Sequence, residues 1–406
     1  MQKILFFIFM CCLRFCCVAG AALPLAAFPF FGSRVGAAQL DIRVSFITRE
    51  VPALGFEAET PPPPPKGGLE GARLGFLDNA ATGRFSGQSW VLGERSVPED
   101  GRLLDAVKAA LDAGERYLII DAPADEVLAA ADLAKPAGGL VFNSGAPDTR
   151  LREADCRANL FHTLPSRDML ADALMQYLAK KRWSHLLLVR GPEAGDGLLA
   201  DAFRASAVKF RLKVVAEKIW ADPTDGRTAS QEIPVLTQAG DYDVVVVADE
   251  TRDFGRQFPY ATWLPRPVAG STGLTPTAWN DRVRGWAAAQ IQDRFMKING
   301  RAMDAYDYAA FMAVRALGEA VTRSGSTEPG TIAAALTAPA FALGGYKGAM
   351  ATFRPWNRQL RQPIALTHGE GVTAFAPIPG FEHRVTELDT LGRDAPETKC
   401  PFPSPE

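Results

Sequence analysis

Asp249 and Glu250 close the run "DYDVVVVADE" (residues 241–250). So short an apolar stretch reads as a strand buried on both faces of a sheet. Two carboxylates at its end could accept hydrogen bonds, hold a cation or exchange protons. Neighbours on an extended chain point to opposite sides, so this pair is not expected to work on one atom. Other apolar runs end in similar residues. "IRVSFI" leads to Arg49 and Glu50, "YLII" to Asp121, "LVFN" to Ser144, Gly145 and Ala146, and "SHLLLV" to Arg190. Arg49 or Arg190 could pair with a carboxylate or phosphate. Ser144 with the Gly145 and Ala146 amides could cradle an anion, although Pro147 supplies neither hydroxyl nor N–H. In open parallel sheets ligands bind beyond the carboxyl ends of the strands, which makes this set the candidate ligand site.

Signals for catalysis are thin. The histidines are His162, His185, His368 and His383, with no metal-binding spacing among them. There is no G-x-S-x-G elbow and no P-loop, and "GDGLLADAF" lacks the third glycine of a dinucleotide loop. The expectation is a binding protein without a cofactor or resident metal. A formal net charge of -2 gives no basic excess, so nucleic acid is not an expected partner.

The elements that must hold these residues alternate. Strand-like runs are separated by helical patterns, which implies an α/β fold with parallel sheets covered on both faces. At 406 residues the chain exceeds one typical core, and two lobes are expected. The clearest helix follows "AMDAYDY", where Ala310, Ala313, Val314, Leu317 and Val321 share a face. Asp304 is placed to cap it, with Asp307 in its first turn. Five prolines at 61–65 exclude regular structure there, and 386–406 reads as a polar, proline-rich tail.

Residues 1–38 lack Asp and Glu, carry Lys3, then run "ILFFIFMCCL" and reach the small residues "VGAA". They read as a Sec-type signal peptide that directs the chain to the periplasm. The alternative is a membrane anchor, in which Arg14 would be costly. Beyond residue 38 only Cys156 and Cys400 remain. In an oxidising compartment they suggest one disulfide stapling the tail to the body, the alternative being two separate thiols.

The order of pieces resembles a known class. "SGAPDTRLREADCRANLFHTLPSRDMLADALMQYLAKKRWSHLLLVRG", "AYDYAAFMAVRALGEAVTRSGSTEPGTIAAAL" and "GGYKGAMATFRPWNRQLRQPIALTH" are similar to segments of type I periplasmic solute-binding proteins, the leucine/isoleucine/valine-binding class. "CRANLFHTLPSRDMLADAL", "YDVVVVADE", "PYATWLPRPVAGSTGLTPTAW" and "FRPWNRQLRQPI" further resemble a subfamily found with pyrroloquinoline-quinone-dependent alcohol dehydrogenase systems. The resemblance implies two doubly wound parallel-sheet lobes joined by three crossovers, closing on a small solute and delivering it to an ABC permease. Residues 39–161 with 282–340 would form lobe 1, and 162–281 with 341–385 lobe 2. A periplasmic quinoprotein dehydrogenase would be a further partner, and a non-transport partner or sensor on the same fold is the alternative. Residues 259–274 would form the second crossover, with Gly270 and Gly273 as its hinge and Tyr260, Trp263 and Trp279 near the cleft mouth. Tyr306 and Asp307 would match the class's Tyr-Asp pair and hold their helix against the hinge.

Overall fold

Strands rich in Val, Ile, Leu and Phe, apolar on both faces, need helices on both sides, and the chain supplies them in alternation. A computed structural model describes residues 39–50, 67–220, 226–252, 254–369 and 371–401. The expected signal peptide and the five-proline run lie outside the described residues. The first lobe begins β1 (Leu40–Arg49), α1 (Leu69–Ser86), β2 (Gln88–Val97), α2 (Leu103–Asp112) and β3 (Tyr117–Asp121). It continues through α3 (Ala124–Ala134), β4 (Leu140–Asn143) and β5 (Leu160–His162). These strands form one parallel sheet in the order β2-β1-β3-β4-β5. Thr48 lies opposite Asp121 and Ile120 opposite Asn143, so the candidate residues of lobe 1 share one sheet edge.

The chain then enters lobe 2 through α4 (Arg167–Lys181), β6 (His185–Arg190), α5 (Ala194–Lys209) and β7 (Lys213–Ile219). There follow α6 (Gly226–Leu236), β8 (Val244–Ala248), α7 (Phe258–Ala261), β9 (Val268–Gly270) and β10 (Leu274–Thr277). It returns to lobe 1 as α8 (Ala288–Asn299), α9 (Ala305–Ser324), α10 (Pro329–Thr337) and three short antiparallel strands. These are β11 (Leu343–Gly344), β12 (Met350–Phe353) and β13 (Leu360–Arg361). Finally β14 (Ile364–His368) and β15 (Gly371–Ala376) complete the second sheet, ordered β15-β14-β10-β9-β8-β6-β7. Its inner strands are parallel, and β14 and β15 run antiparallel at one edge.

The cores sort the segments. Phe46, Phe142, Phe161, Phe311 and Leu317 share one buried cluster with Phe341, Leu343, Phe353 and Leu360, which ties β11–β13 to lobe 1, whereas 341–385 were expected in lobe 2. Leu174, Leu188, Phe203, Val246 and Leu366 belong to the cluster of lobe 2. Three crossovers therefore run at 163–166, 278–287 and 362–363. The second differs from the expectation at 259–274, because β9 and β10 lie within that stretch and pair into the sheet of lobe 2. Gly270 correspondingly ends β9 and Gly273 lies in the turn between β9 and β10, and neither is a crossover residue. Both have positive φ, and a side chain on either would overlap a backbone carbonyl, of Val247 or of Val268. Trp279 begins the actual crossover, buried and stacked on Tyr308 at 4.8 Å.

α9 is capped as its sequence requires. The Asp304 carboxylate accepts from the Tyr306 and Asp307 amides, and Asp307 in turn accepts from the Asp304 amide. α1 approaches it unusually closely through Gly68, Gly71 and Gly75. A methyl group at Gly71 would overlap the Asp307 carbonyl. Glycines one helical turn apart let the two backbones meet and bring the start of α9 to the edge of the first sheet.

Candidate functional site

The candidate residues stand at or just after the carboxyl ends of strands in both sheets, and the structure sorts them sharply. Arg49 is fully engaged within lobe 1. It pairs with Glu126 and donates to the carbonyls of Pro98, Glu99 and Gly101. Glu50 accepts from the Ser96 hydroxyl at 2.6 Å, on the same outer edge. Arg190 turns back along its own sheet, 3.4 Å from Glu217 of β7.

The strand-β4 loop is filled from within. Asn143 Oδ1 accepts from the Gly145 amide at 3.2 Å and the Ala146 amide at 2.8 Å, the donors that an anion would need. Ser144 is buried, and its hydroxyl donates to the Ile120 carbonyl at 3.3 Å. Asn143 Nδ2 donates to the Ala146 carbonyl and faces His162 Nδ1 at 3.1 Å. That contact requires His162 to accept there, which suits a neutral ring. Burial, and then the charge of Arg152, hold its pKa well below the ordinary histidine value.

Asp121 is the acid of lobe 1. Its carboxylate accepts from the Gly68 amide at 3.1 Å, at the N-terminus of α1. A side chain at Gly67 or Gly145 would overlap that carboxylate. Burial pushes its pKa to about 6, opposed by the Gly68 hydrogen bond and assisted by repulsion from Asp307. Tyr306, in the first turn of α9, is 39% exposed. Burial of its phenol, with the charges of Asp121 from lobe 1 and Glu250 from lobe 2, pushes its pKa up to about 12.

The adjacent acids just after β8 divide the work. Asp249 is 1% exposed and accepts from the Phe254 and Gly255 amides at 3.1 and 2.7 Å, closing the loop after β8. Glu250 reaches out of the sheet to Arg167 Nε at 3.1 Å. Arg167 also pairs with Asp148 of lobe 1, Nη1 to Oδ2 at 3.0 Å. A guanidinium at the start of α4 therefore bridges carboxylates of both lobes. Beside it lies a cavity of about 300 Å³ lined by Asp148, Arg150, Arg167, Asp168, Ala202 and Arg393.

Asp121 holds the start of α1 and Glu250 pairs with Arg167, and sequence reasoning missed Arg167 and the loop-filling role of Asn143. Each has a local signal. Asn143 stands just before Ser-Gly, where Asn side chains fold back on following amides. Arg167 follows Ser166, whose hydroxyl accepts from the Met169 amide and caps α4. Tyr260 and Trp263 are exposed on lobe 2, at α7 and the loop after it. Among the described residues no group of three or more His, Cys, Asp or Glu is placed to hold a metal ion. No helix among them is long and apolar enough to cross a membrane.

Behind the crevice the three crossovers meet in one buried polar knot. Gln362 Nε2 donates to the Thr163 carbonyl at 2.8 Å. Lys347 Nζ donates to the Ala278 carbonyl and to Gln362 Oε1, both at 2.7 Å. It also lies 4.4 Å from the centre of the Tyr308 ring. Burial holds the Lys347 pKa well below the ordinary lysine value.

No protein-family model matches the sequence, and no curated protein matches it. Solved structures do. A branched-chain amino acid ABC transporter periplasmic ligand-binding protein from Burkholderia xenovorans is 14% identical, with a TM-score of 0.69 over 89% of this chain and 99% of its own. An ABC transporter substrate-binding protein from Desulfitobacterium hafniense in complex with Leu is 18% identical, with a TM-score of 0.64 over 82% and 99% of the two chains. A solute-binding protein from R. palustris in complex with benzoate is 15% identical, with a TM-score of 0.61 over 83% and 95%. The chain has the fold of the type I periplasmic binding proteins.

Proposed function

We propose that the protein is the periplasmic substrate-binding component of an ABC importer, taking a small solute in the inter-lobe crevice by hinge closure. The observation that carries this reading is the arrangement of the strand ends. Asp121 ends β3 of one sheet and Glu250 follows β8 of the other, and three crossovers join the two sheets. The neighbours of the same fold hold Leu in one case and benzoate in another. Here the Gly145 and Ala146 amides already serve Asn143, which disfavours an α-carboxylate at that loop. The wall offers acceptors instead, and we assign the solute to small hydroxylated organic molecules, alcohols above all.

The resemblance of "YDVVVVADE" and "FRPWNRQLRQPI" to the subfamily found with quinoprotein alcohol oxidation supports a place beside a periplasmic quinoprotein dehydrogenase. Small-angle scattering of the mature protein against short alcohols, their acids and α-amino acids tests the reading. Compaction with an alcohol supports it, and compaction with an α-amino acid alone contradicts the solute class. A second reading is a non-transport partner or sensor of the same oxidation system. The Asp148–Arg167–Glu250 bridge favours it, because the protein's own side chains link the lobes there.

A further inference from the structure

The C-terminal tail is anchored to both lobes. On the side of lobe 2, Leu391 is buried in its core, and the Gly392 amide donates to Asp172 of α4 at 2.7 Å. Lys209 of α5 donates to the Thr390 and Gly392 carbonyls at 3.0 and 2.9 Å. Arg393 pairs with Asp168 at the start of α4, 3.0 Å away. On the side of lobe 1, Arg354 and Arg361 flank the β12–β13 turn and both donate to Asp389, at 2.8 and 2.7 Å. Trp356 Nε1 in that turn donates to the Arg393 carbonyl at 3.2 Å. The chain then makes one short turn at Ala395–Glu397, capped by Asp394, and ends in the Cys156–Cys400 disulfide. Cys156 lies in lobe 1, just beyond the loop that carries Asp148.

We infer that the tail is a fourth connection between the lobes, closed covalently at Cys400, that limits how far the crevice opens. The three crossovers meet side by side in the knot at Lys347. The tail is different. It holds α4 and α5 at one end and the far side of the β4 loop at the other, so rotation that separates them must break the Asp389 and Trp356–Arg393 contacts and then stretch residues 393–400. Fully extended, that segment reaches at most about 28 Å. Its only regular element is the single turn at 395–397, which sets the slack. Arg393 also walls the cavity beside Arg167, so the strap passes next to the ion bridge that joins the lobes. This inference concerns lobe opening and holds whatever the crevice binds.

The test is the inter-lobe distance distribution of the ligand-free mature protein, measured by pulsed electron resonance. Spin labels are carried on a keto amino acid at Lys108 of α2 and Val208 of α5, both exposed, which leaves the cysteines untouched. Two variants are compared with the parent. Cys400→Ser removes the covalent end. Inserting Gly-Ser-Gly-Ser between Thr398 and Lys399 keeps the disulfide but lengthens the strap. The expected result is a shift to longer separations in both. A shift in Cys400→Ser alone would make the disulfide a staple of lobe 1 and overturn the inference, as would no shift in either. Should Cys400→Ser not fold, the insertion decides alone, longer separations supporting the strap and an unchanged distribution overturning it.

Discussion

Lys347 Nζ lies 2.7 Å from Gln362 Oε1, and through this contact a single buried ammonium group joins all three crossovers. Lys347 is 2% exposed and among the described residues has carbonyl oxygens and a tyrosine face, not a carboxylate, as its partners. It orients the crossovers at the expense of a desolvated charge. Lys347→Met should therefore change stability by no more than about 2 kcal/mol, since lost hydrogen bonds and a relieved charge oppose each other. The lobe orientation should nevertheless loosen. The pH dependence gives the sign. With a folded pKa below the unfolded 10.5, the unfolded chain binds more protons in between, so the parent gains stability as pH rises through that window. Urea melts at successive alkaline pH values should show that gain in the parent and its loss in the variant.

Asp121 makes the opposite prediction. Its folded pKa of about 6 lies above the ordinary 3.8, so the native state holds the proton more firmly. The associated stability is present below about pH 4 and is lost as pH rises through 6. Asp121→Asn should remove that slope, gaining up to about 3 kcal/mol on the parent between pH 4 and pH 7. Equal pH profiles for parent and variant would refute the assignment.

Asn143→Ala should strand the Gly145 and Ala146 amides and the His162 ring in a buried loop. The expected cost is about 2 kcal/mol in chemical denaturation. A cost near zero would mean that water or solute serves those amides equally well.

Arg167→Met tests the bridge between Asp148 and Glu250. Leaving two facing carboxylates without their cation should open the crevice, visible as a larger radius of gyration in scattering, most strongly at low salt. An unchanged radius at all salt concentrations would show that the bridge does not hold the lobes together.

Much of the fold was legible because period and polarity are local properties. The apolar runs at 117–120, 140–142 and 244–248 read as buried strands, and Asp304 marked the start of α9 before any packing was known. The second crossover was misplaced because a glycine at a strand end and one in the turn after it look like glycines in a hinge. Only the proximity of Val247 and Val268 reveals why Gly270 and Gly273 lack side chains. Site residues were harder for a related reason. A charged residue at a strand end is visible in sequence, but its partner is not. Arg49 meets Glu126, and Arg190 meets Glu217, both distant in sequence, and both are thereby spent within their own lobes. The Lys347–Gln362 knot left no local pattern at all, since its meaning depends on three segments converging.

The most direct measurement is native mass spectrometry of the protein purified from its own cells, with any released molecule identified after denaturation. A stoichiometric extra mass that disappears on unfolding, and that proves to be a small hydroxylated solute, is the expected result. A bare polypeptide mass, still bare after incubation with alcohols and their acids, would contradict a solute receptor and leave the lobes held by their own side chains.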